Sequence, residues 1–234
     1  MIDQNYRANI EYCQMAPDPL VSVIIPSVPE SSHRSVVDML SEQDFEESYE
    51  VLVVNDSSLG VSDARNAGLL AANADTVAFI DDDCEPESNW LSSIYSEMKD
   101  NEFVCIEGKV VGGLSYTGKR GYPTCNLTVD RETAIDVGGF RSEFDGWRED
   151  TEFGWRMERD GDGKCGYNPN QVVAHPSRPR ANYIDKNEQL LKNEYPDNYN
   201  EVMNNTIKDR LFRALQKRGI TNWLNHHRWG EKSQ

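Results

Sequence analysis

At 234 residues with a formal net charge of −16, the chain is long enough for one sizeable core, or a core plus an appendage. Its acidity excludes a general nucleic-acid binder, whose surface is basic. Five cysteines (Cys13, Cys84, Cys105, Cys125, Cys165) without C-x-x-C spacing favour free thiols in a reducing compartment over a disulfide frame. No basic, apolar leader opens the sequence, and no run reaches the ~18 apolar residues of a membrane span, so the expected location is cytoplasmic.

Residues 1–19 are polar, with Pro17 and Pro19, and read as a lead-in arm. Leu20–Pro26 is a β-branched run closed by proline, a first buried strand. Ser31 or Ser32 is the expected N-cap of a helix through Val36, Val37 and Leu40. Glu50–Asn55 is a second strand, followed by an alanine-rich helix from Val61 to Ala72 that carries Arg65 and Asn66. A third strand, Val77–Ile80, opens into Asp81-Asp82-Asp83; a helix from Ser88 to Met98 and a strand Phe103–Ile106 follow. This alternation implies βαβ units and a mostly parallel sheet. The glycine-rich stretch from Gly108 to Cys125 reads as a flexible loop over the active face. Beyond it come a strand at Asn126–Val129, a helix from Glu149 with Phe153 and Met157 on one face, and a short strand Gln171–Ala174 before His175. The segment after Asn187 is helical, with Ile207, Leu211, Ala214 and Leu215 on one stripe. From Lys208 to Trp229 it holds six lysines and arginines against one aspartate, a net +5. With Trp223 and Trp229 beside it, this is the one candidate membrane-surface feature; a helix packed on the domain with a solvated basic face is the plainer reading.

Three carboxylates at the carboxyl end of a buried strand repel one another unless a cation or donors sit between them. Ligands of open α/β sheets bind beyond such strand ends. Asp81 and Asp83 offer the hard oxygens that suit Mg²⁺ or Mn²⁺ carrying a diphosphate. An acidic loop capping the next helix explains the triplet equally well. No glycine-rich phosphate cradle follows the first strand, so phosphate must be held by metal and side chains.

Five stretches in order resemble family 2 glycosyltransferases of the GT-A fold: Val23-Ile24-Ile25-Pro26, Val53-Val54-Asn55-Asp56-Ser57-Ser58, Ala64-Arg65-Asn66-Ala67-Gly68, Phe79-Ile80-Asp81-Asp82-Asp83, and Gly138-Gly139-Phe140 followed by Gly146-Trp147-Arg148-Glu149-Asp150. The resemblance runs from about Val21 to His175. It implies an α/β fold of GT-A type, a mostly parallel central sheet flanked by helices, to which the pattern after Asn187 adds a helical C-terminal extension. Beside an arm (1–19) and a basic helical extension (181–234) that lie outside its span, the resemblance implies a catalytic domain (20–180, nucleotide half 20–110 and acceptor half 111–180). It also implies roles. Asp56 contacts the base, with Pro26 and Arg65 in the same pocket; Asp81 and Asp82 line the nucleotide site; Asp83 binds a divalent Mn²⁺ or Mg²⁺ ion. His175 stands where some members place a further metal ligand, although a histidine before proline is also an ordinary structural residue. Asp150 is the implied base, Glu149 its acceptor-holding neighbour, and Trp147 an acceptor-stacking residue or a core one.

The implied reaction is inverting transfer of a sugar from a nucleoside diphosphate sugar, with UDP the family's commonest nucleotide, to a hydroxyl of a glycan or lipid-linked acceptor. A carboxylate takes the acceptor proton and a metal neutralises the leaving diphosphate. The membrane helices of processive synthases are missing from the sequence, which points to single transfers. A non-catalytic sugar-nucleotide or glycan binder needs no base, and a sugar nucleotidyltransferase needs a glycine-rich, basic loop where Ser27-Val28-Pro29-Glu30 stands.

Overall fold

The computed structural model describes residues 2, 8–99, 102–113, 116–176, 183–203 and 206–220. Trp223, Trp229 and the end of the basic segment lie outside the described residues. β2 (Val21–Ser27) and β3 (Tyr49–Asn55) pair in parallel along their whole length and are almost wholly buried. β4 (Thr76–Phe79) joins β2 from the other side, again in parallel. Strands this apolar need cover on both faces. One face packs α1 (Arg34–Ser41) and α3 (Trp90–Lys99) through Val36, Leu40, Trp90, Leu91 and Ile94 against Val21, Val23 and Ile25. The opposite face packs α2 (Val61–Ala71) against Ile24 and Val54. A Cβ on Gly68 would sit 2.5 Å from Ile24 Cγ2, so glycine sets how closely α2 approaches the sheet.

The full sheet has eight strands in the order β1-β3-β2-β4-β7-β6-β8-β5. β5 (Glu85–Pro86), β6 (Phe103–Gly112), β7 (Leu127–Asp130) and β8 (Lys164–His175) complete it. β7 inserts antiparallel between β4 and β6, while β6 and β8 run parallel. Among the described residues three pairings are parallel and four antiparallel, so the sheet is mixed where the strand–helix alternation predicts mostly parallel. The alternation holds only up to α3; β6 reaches β7 without a crossover helix, and an antiparallel pairing needs none.

Other expectations shift for local reasons. The arm contributes β1 (Ile10–Gln14), paired antiparallel with β3. α1 starts at Arg34 with His33 at its N-cap and no side-chain capping bond, so neither Ser31 nor Ser32 caps it. The glycine-rich stretch begins as the second half of β6 and is anchored: buried Glu107 accepts from the backbone N–H of Arg120 (2.9 Å) and Tyr122 (3.0 Å). Behind α4 (Arg131–Asp136) and α5 (Glu149–Asp160), the chain after 183 adds α6 (Asp185–Glu194), a short α7 (Pro196–Asn198) with a π turn through Met203, and α8 (Ile207–Lys217). Leu191, Tyr195, Tyr199 and Met203 join the same cluster as Phe79, Phe153 and Trp155. The start of the expected extension is therefore part of the core.

Candidate active site

The site lies beyond the carboxyl ends of β2, β3 and β4, where Ser27, Asp56 and Asp81 emerge. Pro26, half-buried, precedes Ser27 at the end of β2, and the Ser27 hydroxyl donates to Asp82 Oδ2 at 2.8 Å, fastening the aspartate triplet to the neighbouring strand end. Asp56 accepts from the Ser58 hydroxyl (2.6 Å), the Ser58 N–H (2.9 Å) and the Asn9 N–H (3.1 Å). The Ser58 hydroxyl, then these N–H groups, hold its carboxyl below the usual range.

α2 carries the group that joins the two halves. Arg65 is only 4% exposed, and its guanidinium lies 3.4 Å from Asp81 Oδ1 and 3.4 Å from Glu149 Oε1. It also sits over the Phe140 ring, 5.6 Å from the centroid. The next residue, Asn66, locks the Gly138–Phe140 segment in place. Its Nδ2 donates to the Phe140 carbonyl (2.8 Å) and its Oδ1 accepts from the Phe140 N–H (2.7 Å). Gly139 beside it has φ +64°, and a Cβ there would overlap Asn66 Oδ1. Phe140 in turn stacks on Phe153 of α5 (4.1 Å) and meets Phe79 of β4 edge-on (5.2 Å). One aromatic column thus fixes α5 relative to the aspartate strand.

Glu149 and Asp150 open α5. Asp150 Oδ1 accepts from both the Thr151 N–H (2.6 Å) and the Thr151 hydroxyl (3.1 Å). Burial, followed by the Asp150 charge beside it, pushes the Glu149 carboxyl up to about 7 against the pull of Arg65. Burial also raises Asp150, outweighing its Thr151 bonds and the charges of Arg148 and Arg65. Desolvation therefore wins over the helix dipole that favours ionised carboxylates here.

Trp147 is held from the side by α6. Its Nε1 donates to Glu188 Oε2 (2.8 Å), the Arg148 guanidinium lies 4.7 Å over its ring, and Tyr183 meets it edge-on at 5.6 Å. Arg148, in the left-handed region at φ +76°, reaches Glu188 at 2.9 Å, and Arg213 of α8 reaches it at 3.1 Å. Burial alone raises the Glu188 carboxyl, but Arg148 and the bonds from Tyr199 and Trp147 outweigh it and hold it at about 2. Glu188 carries no local sequence signal; its four partners converge from three segments, the stretch before α5, the π turn and α8, and only the fold assembles them.

The donor atoms for a cation are also gathered differently from the expectation. Among the described residues, Asp81, Cys84, Cys125 and His175 bring one ligand atom each to within 4.8 Å of one another. His175 is in this cluster as expected. Asp83 is not, because the turn closed by Cys84 N–H on the Asp81 carbonyl (3.2 Å) brings Asp81 and Cys84 to the centre. The bond to Cys84, then burial, then the Asp81 charge push the Cys125 thiol well above its ordinary value, with Asp150 adding to the shift. The aspartate triplet, the thiols and the start of α5 thus belong to one electrostatic neighbourhood. Carboxylates, thiols and an imidazole suit a divalent cation; the oxygens favour a hard ion and the thiols a softer one.

The sequence profile of glycosyl transferase family 2 matches residues 43–151, which contain the strand end at Asp56, Arg65, the aspartate triplet and the start of α5. Over this segment the chain is similar to glycosyl transferase family 2. A pre-mycofactocin glycosyltransferase of Mycobacterium tuberculosis is 29% identical over 147 residues, which are 52% of this chain and 31% of that protein. The chain thus spans about a third of the length of this curated relative. The fold is that of crystal structures of S. aureus TarS. One, in complex with UDP-GlcNAc, has a TM-score of 0.54 at 15% identity over 68% of this chain and 58% of that one. Another has a TM-score of 0.56 at 14% identity over 77% and 71%. At such identities the likeness is one of fold, an α/β fold of GT-A type.

Proposed function

We propose that the chain transfers a sugar from a nucleoside diphosphate sugar, a UDP sugar in the first instance, to an acceptor hydroxyl with inversion. The observation that carries this reading is the buried Arg65, which ties Asp81 at the donor strand end to Glu149 at the acceptor helix. The UDP-GlcNAc bound by the TarS neighbour supports the choice of donor. In this reading the nucleotide lies over Pro26, Asp56 and Arg65, with Asp81, Asp82 and Asp83 along the ribose and diphosphate.

The acceptor oxygen attacks the anomeric carbon while the bond from that carbon to the diphosphate oxygen breaks. The acceptor proton passes to Asp150. Since both Thr151 bonds fall on Oδ1, Oδ2 is the oxygen offered to the acceptor. The raised carboxyl makes Asp150 a stronger base than an exposed aspartate. Glu149 and Trp147 hold the acceptor, Glu149 with its carboxyl close to half-protonated near pH 7. Asp81 and His175 would hold a divalent cation, with Asp83 close by; such a cation, when bound, neutralises the charge that grows on the leaving diphosphate. Carboxylate oxygens alone suit Mn²⁺ or Mg²⁺, whereas the two thiols beside Asp81 and His175 favour a softer ion.

Among the described residues no helix is long and apolar enough to cross a membrane. α8 nevertheless exposes Ile207 (85%) and Leu211 (60%) beside Lys208 and Arg210. We read this face as a peripheral contact with anionic lipid at the cytoplasmic surface, which suits a lipid-linked glycan acceptor. Liposome sedimentation unchanged by deletion of residues 208–234 would remove that contact from the reading.

The deciding experiment pairs transfer of labelled sugar from UDP sugars with thermal stabilisation by UDP. Asp150→Asn should abolish transfer and leave the stabilisation intact. Persistent transfer would displace Asp150 as the base. Absence of stabilisation by UDP, GDP, CMP and dTDP, each with and without divalent metal, would demote the donor site itself.

A further inference from the structure

Sequence distance hides a constellation that strand register assembles. β5 pairs antiparallel with β8, Glu85 opposite Ala174, so the residues one step outward, Cys84 and His175, face one another at the end of the ladder. Cys125 comes from a different place, the 3₁₀ turn Thr124–Asn126 that leads into β7. That turn is locked by its last residue: Asn126 Oδ1 accepts from Trp90 Nε1 (2.9 Å) and Gln171 Nε2 (2.8 Å), while its Nδ2 donates to the carbonyls of Gln171 (2.8 Å) and Lys109 (2.9 Å). Asn126 is fully buried and all its amide capacity is engaged on these partners. The side chain of Cys125 is therefore delivered to Cys84 by a rigid frame, and the two thiols are 4% and 2% exposed.

We propose that Cys84, Cys125, His175 and Asp81 form a tetrahedral site for a borderline divalent cation of the zinc class. Two sulfurs, one imidazole nitrogen and one carboxylate oxygen, all within 4.8 Å of one another, make a four-ligand shell. Zinc–sulfur bonds of about 2.3 Å place two tetrahedral thiolates roughly 3.8 Å apart, so the two thiols close on the ion by about an ångström at most. Magnesium asks for six oxygens and keeps its waters, which two buried thiols cannot supply. His175 Nδ1 lies 2.8 Å from the Pro176 carbonyl oxygen; donation to that oxygen fixes the tautomer and leaves Nε2 with the lone pair a metal takes. Asp81 and His175 are half-buried, giving the ion a way in from the open side. Thiol protons leave as the ion binds. Through Asp81, which also meets Arg65, the ion stands at the edge of the donor site.

Cobalt(II) titration of the reduced, metal-free full chain tests the assignment, because the cobalt spectrum reports ligand atoms and geometry whether or not nucleotide binds. The expected result is one equivalent bound, with a thiolate-to-cobalt charge-transfer band and the intense visible bands of a tetrahedral ion, displaced by Zn²⁺. Cys84→Ser and Cys125→Ser should each weaken the charge-transfer band. His175→Gln, at a half-buried strand end, should lower cobalt affinity by about tenfold or more while keeping the fold, so the test survives a cysteine variant that does not fold. The weak spectrum of an all-oxygen octahedral ion would overturn the proposal in favour of a hard-cation site. Absence of cobalt binding, with a Cys84–Cys125 disulfide on mild oxidation, would also overturn it. UDP stabilisation, measured on the same samples, reads the donor site separately.

Discussion

Glu149→Gln should make the protein less sensitive to pH, in a direction fixed by burial. Glu149 is 16% exposed and stands beside Asp150, with Arg65 at 3.4 Å as its compensating charge. Its carboxyl titrates at about 7 in the folded chain against an ordinary value of 4.5. The folded state therefore holds a proton that the unfolded state has released between those values. Where the native state binds more protons, stability falls as pH rises. The contribution is fully present below the unfolded value and is lost as pH climbs through about 7. Each tenfold difference in proton affinity between the two states is worth about 1.4 kcal/mol, so the loss across this window is about 3 kcal/mol. Glutamine keeps the size and a hydrogen-bonding oxygen for Arg65 but cannot ionise. Urea unfolding of both proteins at pH 4.5 and pH 8, at one moderate ionic strength, measures the effect. The variant should gain on the wild type by about 3 kcal/mol between the two pH values. A stability difference that stays constant from pH 4.5 to 8 would refute the burial argument and return Glu149 to an ordinary surface carboxylate.

Glu188→Gln should destabilise by about 3–5 kcal/mol at pH 7, because Arg148 and Arg213 lose their buried partner. Since the folded carboxyl is held at about 2, the wild-type advantage should be complete above the ordinary range and fade as pH falls toward 2, which urea unfolding at pH 3 and pH 7 reads directly. Gly139→Ala should cost about 1–3 kcal/mol in the same assay, because alanine must adopt a positive φ and meet Asn66. An unchanged midpoint would mean the Gly138–Phe140 segment can move away from α2.

The parallel half of the sheet was legible because its strands are continuous apolar runs separated by helical patterns, as in Val21–Ser27 and Val61–Ala71. The mixed half was not. β7 pairs with strands on both sides by position in space, and nothing in Leu127–Asp130 encodes direction. The site divides the same way. Asp56, Arg65, Asp81 and Asp150 sit in local motifs that can be read residue by residue. Cys84, Cys125 and His175 are far apart in the chain, so a search for C-x-x-C spacing passes over them, although strand register brings two of them face to face. Which of Asp81, Asp82 and Asp83 turns toward Cys84, Cys125 and His175 depends on the turn after β4, which three identical side chains do not disclose.

Arg65 is the residue at which these readings can be played against one another. It neutralises Glu149 and Asp81 from inside the core, and its Nε finds no acceptor, so its burial rests on the two carboxylates. Arg65→Gln leaves those carboxylates without a cation and should destabilise by about 3–5 kcal/mol at pH 8. At pH 5 Glu149 is protonated in the folded chain, one uncompensated charge is absent, and the penalty should shrink. Adding Glu149→Gln removes the same charge at every pH. The double variant at pH 8 should therefore be more stable than Arg65→Gln alone, with a coupling of about 1–3 kcal/mol in a double-mutant cycle by urea unfolding. At pH 5 the coupling should fall toward zero. Additivity at both pH values would mean that the 3.4 Å contact carries no energy, and that the aspartate strand and α5 are joined by the Phe79–Phe140–Phe153 column alone.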